Sequence, residues 1–138
     1  MDLKNLRLSY GINKIDFNNL EENPIIFFKR WFEVALKNTK SEANSCVLST
    51  ITKLNTPSTR VVLLKDITDN GFVFFTNFNS SKSTDMSNNN NVSLNFYWPE
   101  IERQVRINGT VTKINRKESV EYFQSRPRES QLGAWLSE

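Results

Sequence analysis

The apolar residues of this chain change their spacing once, and that change decides what kind of fold it can build. Asn23 offers the side chain of an N-cap, with Pro24 at the first helical position. Apolar residues then recur at Ile25, Phe28, Trp31, Phe32, Ala35 and Leu36, the rhythm of one amphipathic helix. From Ser45 onward the pattern becomes short β-branched and apolar runs separated by turn residues. It predicts strands over Cys46–Ile51, Ser58–Lys65, Phe72–Asn77, Val92–Trp98 and Ile101–Ile114, with Gly109 as a bend or bulge in the last. Asp69-Asn70-Gly71 is a tight hairpin signal. Ser80 is placed to cap a short helix running through Met86, and Asn115 to cap another over Arg116–Ser125. This order gives an α+β domain over residues 23–138 with a mainly antiparallel sheet, preceded by a polar arm over residues 1–22. Closely spaced hairpins suggest a closed or nearly closed barrel, which also removes exposed sheet edges.

The composition excludes several chemistries. A chain of 138 residues without histidine cannot build a Ser-His-Asp or Cys-His nucleophile, nor a histidine-ligated metal site. Cys46 is the sole cysteine, so no intrachain disulfide forms, and its apolar surroundings suit a small buried hydrophobe. No metal site is expected. The net charge of +3 suits a phosphate-bearing ligand but is too slight to argue for nucleic acid. No apolar run is long enough for a bilayer and the first residues lack a signal-peptide core, so a soluble cytoplasmic protein is expected. With so few reactive groups of its own, the chain needs a cofactor for demanding chemistry, and no catalytic side chain stands out.

Four groups of residues could bind such a partner. In Tyr122-Phe-Gln-Ser-Arg-Pro-Arg-Glu-Ser130, Arg126 supplies a planar fork of donors suited to phosphate, and Tyr122, Ser125 and Ser130 add neutral hydrogen bonds. On one helical turn, Tyr122 and Arg126 would share a face. The structural alternative is a solvated helix end with Arg126 or Arg128 paired to Glu121 or Glu129. Arg60 and Lys65 bracket Val61-Val62-Leu63-Leu64; opposite parity puts them on opposite faces, so they need not serve one anion. Strand-end cations reaching water are the alternative. Thr76, Ser80, Ser81 and Lys82 gather where a helix begins, a position that favours an anion, although Ser80 could be a cap only. Gln104 reads as a solvent-facing strand residue with an amide that both donates and accepts.

These separated motifs, in this order, closely resemble the pyridoxamine 5'-phosphate oxidases, flavin enzymes that make pyridoxal 5'-phosphate. The likeness runs from Leu6-Arg-Leu-Ser-Tyr10 through Arg60–Lys65, Phe74-Phe-Thr-Asn77 and Glu102-Arg-Gln-Val105 to Tyr122–Trp135. It implies a six-stranded split barrel of the FMN-binding kind with flanking helices. It also implies FMN-dependent oxidation of pyridoxamine or pyridoxine 5'-phosphate by dioxygen, in a homodimer with FMN at the interface. The alternative is a non-catalytic flavin- or pyridoxal-phosphate-binding module. By the same resemblance, Arg60, Val61, Val62, Leu63, Leu64, Lys65, Phe75, Thr76, Ser80, Ser81, Lys82 and Gln104 would hold the cofactor. Arg7, Tyr10, Lys65, Tyr122, Arg126 and Ser130 would hold the substrate, with Arg7 and Tyr10 on an arm that closes over it. Two positions depart from the family pattern: Ser81 stands where arginine is usual, and Phe75 where tyrosine is common. Family members also continue beyond Trp135-Leu-Ser-Glu138 with an arginine–histidine cluster, so a truncated or shortened relative is expected.

Overall fold

The structure, a computed structural model of the chain, describes residues 3–6, 9–11 and 14–136. Helix α1 spans Pro24–Asn38 and starts as the sequence requires: Asn23 accepts from the backbone N–H groups of Ile25 and Ile26, and Pro24 opens the first turn. Strands β1 (Ser45–Ile51), β2 (Pro57–Thr68) and β3 (Gly71–Phe74) follow, then helix α2 (Ser81–Asn88). Strands β4 (Asn91–Trp98) and β5 (Arg103–Thr110) precede helices α3 (Arg116–Ser125) and α4 (Arg128–Leu136). Asn115 caps α3 by accepting from the Glu118 N–H at 2.9 Å. All strand pairs are antiparallel, in the order β3-β2-β1-β4-β5.

The α+β split-barrel class is therefore the observed one, as a curled half-barrel. Its strand count and closure differ from expectation. Five strands, not six, form among the described residues, and β3 and β5 stand at the two ends of the order. Strand β2 runs three residues past Lys65, and β3 stops at Phe74 rather than Asn77. The long last strand is shorter because a 3-10 turn takes Pro99–Ile101, and Glu102 leaves it in the left-handed region at φ 52°. Gly109 makes no bulge; it pairs in register with Val92. The irregularity lies instead between Leu64 and Asp66, where β2 gains one residue on β3. At the β2–β3 hairpin, Gly71 carries the positive φ of 147° and Asn70 does not.

Alternation along the strands sends Cys46, Leu48 and Thr50, Val62 and Leu64, and Leu94, Phe96 and Trp98 to one face. Helix α1 covers that face with Phe28 and Ala35. Phe28 meets Phe72 edge-on at 4.9 Å, Phe96 at 5.1 Å and Trp98 at 6.0 Å between ring centroids. The Trp98 indole is buried with its N–H satisfied, donating to the Ala43 carbonyl at 2.9 Å. Burial pushes the Cys46 thiol from 9.0 up to about 11.

Two measurements check this core. Phe28→Ala should cost about 3–5 kcal/mol in urea unfolding, the usual range for emptying a buried phenylalanine site. The thiol acts through pH. Its folded pKa lies above the unfolded value, so its contribution is full below pH 9.0 and lost as pH rises toward about 11. Stability should accordingly fall more steeply across that window for the parent protein than for Cys46→Ala.

Candidate functional site

The expected binding residues fall into three places. The first is the start of α2. Ser80 occupies the N-cap position but does not cap: its hydroxyl donates backward to the Asn77 carbonyl at 2.7 Å and lies 3.5 Å from Thr76 Oγ1. The N-cap residue of α2 thus makes no side-chain cap hydrogen bond, at the helix start that follows Thr76 and carries Ser81 and Lys82. Ser81 is exposed and Lys82 half-buried.

Arg60 joins this helix from below. Its Nη1 donates to Thr50 Oγ1 at 2.6 Å and to the Ser58 carbonyl at 3.0 Å, and its Nη2 to Ser58 Oγ at 2.7 Å. Asp85, on α2, lies 3.7 Å from Nη2 and accepts from the Thr50 hydroxyl at 2.9 Å. Arg60 is thus a fixed, partly buried cation and not a strand-end charge reaching water. Sequence reasoning missed Asp85, Thr50 and Ser58. One signal was available: an acidic residue three positions after Lys82 in a short helix, on the side that meets the sheet.

The run between Arg60 and Lys65 divides by face. Val62 and Leu64 are core residues, so only their backbone is open to a ligand, while Val61 is exposed on the opposite face. Lys65 sits at the β2 irregularity and lines a cavity of about 340 Å³ with Lys29, Phe32, Glu33, Asp66 and Ile67. No hydrogen bond or ion pair joins it to Tyr122, Arg126 or Ser130 among the described residues.

The second place is the α3–α4 corner. The Tyr122 ring stacks on Phe75 with centroids 3.6 Å apart and planes 6° from parallel. This contact carries the start of the Tyr122–Ser130 segment to the end of β3, beside Thr76, and so links the two predicted phosphate-binding groups. Pro127 lies in the break between α3 and α4. Because α3 ends at Ser125, Arg126 stands in extended conformation (φ −73°, ψ 146°), and the predicted shared helical turn with Tyr122 is not formed. The Arg126 backbone is held at both ends, its N–H donating to Phe123 and its carbonyl accepting from Gln131 Nε2 at 2.9 Å. Its guanidinium has no partner among the described residues, and neither Glu121 nor Glu129 pairs with it; Glu121 bonds Lys117. Ser130 is half-buried in α4.

The third place is the outer face of β4 and β5. Gln104 is exposed there and donates from Nε2 to Asn95 Oδ1 at 2.9 Å, a diagonal cross-strand pair. The arm reaches the same end of the sheet: the Gly11 N–H donates to Glu102 Oε2 at 2.9 Å. Tyr10 lies against Tyr97, and the electrostatic effect of that phenol, together with desolvation, the hydrogen bond between them and Glu100, holds Tyr97 above the usual tyrosine range. Arg7 lies outside the described residues.

The profile of the family described as pyridoxamine 5'-phosphate oxidase matches residues 32–138. A pyridoxine/pyridoxamine 5'-phosphate oxidase of Hydrogenovibrio crunogenus is 48% identical over 137 residues, covering 99% of this chain and 64% of the relative. One from Leptospira interrogans is 46% identical over 135 residues, covering 98% and 63%. The chain belongs to the pyridoxamine 5'-phosphate oxidase family. It spans somewhat under two thirds of the length of these relatives.

Solved structures agree on the fold. PhzG from Burkholderia lata, in complex with tetrahydrophenazine-1-carboxylic acid, superposes with a TM-score of 0.81 at 24% identity, covering 87% of this chain and 59% of that one. A pyridoxamine 5'-phosphate oxidase-related, FMN-binding protein from Nostoc punctiforme gives 0.64 at 15% identity, covering 77% and 62%. Phe75 supplies the ring on which Tyr122 stacks. In the first turn of α2, Ser81 is neutral and Lys82 carries the positive charge. Among the described residues, no helix is long and apolar enough to cross a membrane.

The Phe75–Tyr122 stack generates a test. Phe75→Ala should release α3 from the sheet, lowering stability by about 1–3 kcal/mol from the lost ring burial and stacking. Limited proteolysis should then cut within residues 111–136 first, with Trp98 fluorescence unchanged before cleavage.

Proposed function

We propose that this chain is the flavin-binding part of a cytoplasmic oxidase acting on pyridoxamine or pyridoxine 5'-phosphate. The observation that carries this reading is the Phe75–Tyr122 stack, because it sets two separate anion-suited groups side by side. One is the uncapped start of α2 with Thr76, Lys82 and the fixed Arg60; the other is Tyr122 with the unpaired Arg126 guanidinium. The donor set fits a cofactor with a phosphate: backbone N–H groups at a helix start, an ammonium and a guanidinium. FMN bound there would supply two-electron oxidation of the substrate, with dioxygen as the final acceptor.

The protein's own part is binding and orientation. Lys82, Thr76 and the α2 start hold the cofactor phosphate while Arg60 supports them from the sheet. Arg126, Tyr122 and Ser130 hold the substrate phosphate, and the arm carrying Tyr10 limits access of water. Gln104 hydrogen-bonds the edge of a flavin ring held mainly by a second copy of the chain. The exposed outer face that carries Val61, Tyr97 and Gln104 supports such a homodimer, since these side chains remain largely open to solvent on one surface.

The purified protein should take up FMN stoichiometrically and turn yellow; a protein that remains colourless in FMN titration would remove this reading. Flavin uptake without peroxide release from either vitamin phosphate would leave a binding module instead. Arg126→Ala should raise the Michaelis constant about 10- to 100-fold, the loss of one charged phosphate contact, with flavin retained. Lys82→Ala should lose flavin first. Mixing Gln104 and Lys82 variants should restore partial flavin binding at hybrid sites, and a monomer that holds FMN tightly would rule out the shared site.

A further inference from the structure

Asp85 is a buried carboxylate that the proposed chemistry does not use. It lies three residues after Lys82 on α2, a spacing that puts the two on neighbouring parts of one helix face. Its Oδ2 accepts from the Thr50 hydroxyl at 2.9 Å and stands 3.7 Å from Arg60 Nη2. That second separation is too long for a hydrogen bond but well within Coulomb range.

Arg60 does not depend on Asp85 for its position. Three shorter bonds fix its guanidinium: to Thr50 Oγ1 at 2.6 Å, the Ser58 carbonyl at 3.0 Å and Ser58 Oγ at 2.7 Å. What Asp85 adds to Arg60 is charge. A phosphate monoester carries close to two negative charges at neutral pH. Arg60 and Lys82 together would nearly balance it, but Asp85 removes about one unit from that sum at a half-buried site where screening by water is weak.

We infer that Asp85 sets the affinity of the α2 site for phosphate: it offsets the Arg60 charge, so that the phosphorylated flavin is held more loosely than the two cations alone would hold it. The inference rests on the proposed reading of this site as the seat of the cofactor phosphate. Asp85→Asn is the direct variant, because the amide oxygen still accepts from Thr50 while the charge is gone. Asp85→Ser is the second, in case the amide disturbs folding; circular dichroism checks both.

Titration of each protein with FMN and with riboflavin separates charge from structure, since riboflavin has the ring but no phosphate. Removing the like charge that offsets Arg60 predicts FMN binding tighter on the order of tenfold. Riboflavin affinity should change less than twofold, and inorganic phosphate should raise the melting temperature of the variant more than that of the parent. A purely structural role would move both flavins together. FMN affinity unchanged or weaker in the Asp85 variants, while Lys82→Ala still costs FMN, would overturn the inference and leave the site standing. A parent protein that binds FMN and riboflavin alike, with Lys82→Ala silent, would instead sink the phosphate site and this inference with it.

Discussion

Phe28 lies where α1, β3 and β4 meet, and its ring contacts hold those three elements in one arrangement. A curled antiparallel sheet has one face to bury, and a single helix must cover it. Phe28 does this by reaching Phe72 on β3 and both Phe96 and Trp98 on β4, with Phe32 stacked a turn away on the same helix. Strands β3 and β4 are not neighbours in the sheet; β2 and β1 lie between them. A ring that touches both therefore fixes the curl of the sheet as well as the position of the helix. Trp98, the largest of the fully buried side chains among the described residues, keeps its indole N–H satisfied by Ala43, so the cluster carries no orphaned donor there.

The curl has a consequence for the polar side. With the apolar rings drawn to one face, Arg60 on the same strand face has to find polar company at the far end of the core. It finds Thr50 across the β1–β2 ladder, where Leu48 is its direct register partner, and Asp85 from α2. Helix α2 is short and mostly polar, and its buried residues are Ser83 and Asp85. Its position on the sheet thus depends more on this charge-and-hydroxyl network than on apolar burial. If the start of α2 holds an anion as proposed, its attachment through a buried ion pair would couple ligand affinity to the stability of the site itself.

Arg103 shows the opposite arrangement. It faces inward from β5, lies 4.5 Å over the Trp31 ring, and leaves Nη1 buried without a hydrogen bond. Desolvation lowers its pKa below the usual arginine range. The aromatic face compensates part of the cost of burying that cation. The arm residues Lys14, Ile15, Asp16 and Leu20 line the small cavity around it, so arm, α1 and β5 meet at this point.

The sequence by itself determined the elements and their type. The Asn23-Pro24 cap, the helical apolar rhythm, the β-branched runs and the Pro127 break are local signals, and each acts through the backbone of a few neighbouring residues. The family likewise lay in separated motifs. Tertiary structure decided what lies beyond that range. The 3-10 turn at Pro99–Ile101 shortened β5, and the irregularity after Leu64 placed Lys65 beside α1, because strand register is settled by the partner strand. It turned the Ser80 hydroxyl away from capping, and it ended α3 one residue before Arg126. Above all it joined Arg60 to Asp85, 25 positions further along the chain, and Phe75 to Tyr122, 47 positions further. No local pattern encodes such pairs: a charge or a ring acquires its role only when the fold brings its partner within a few ångströms.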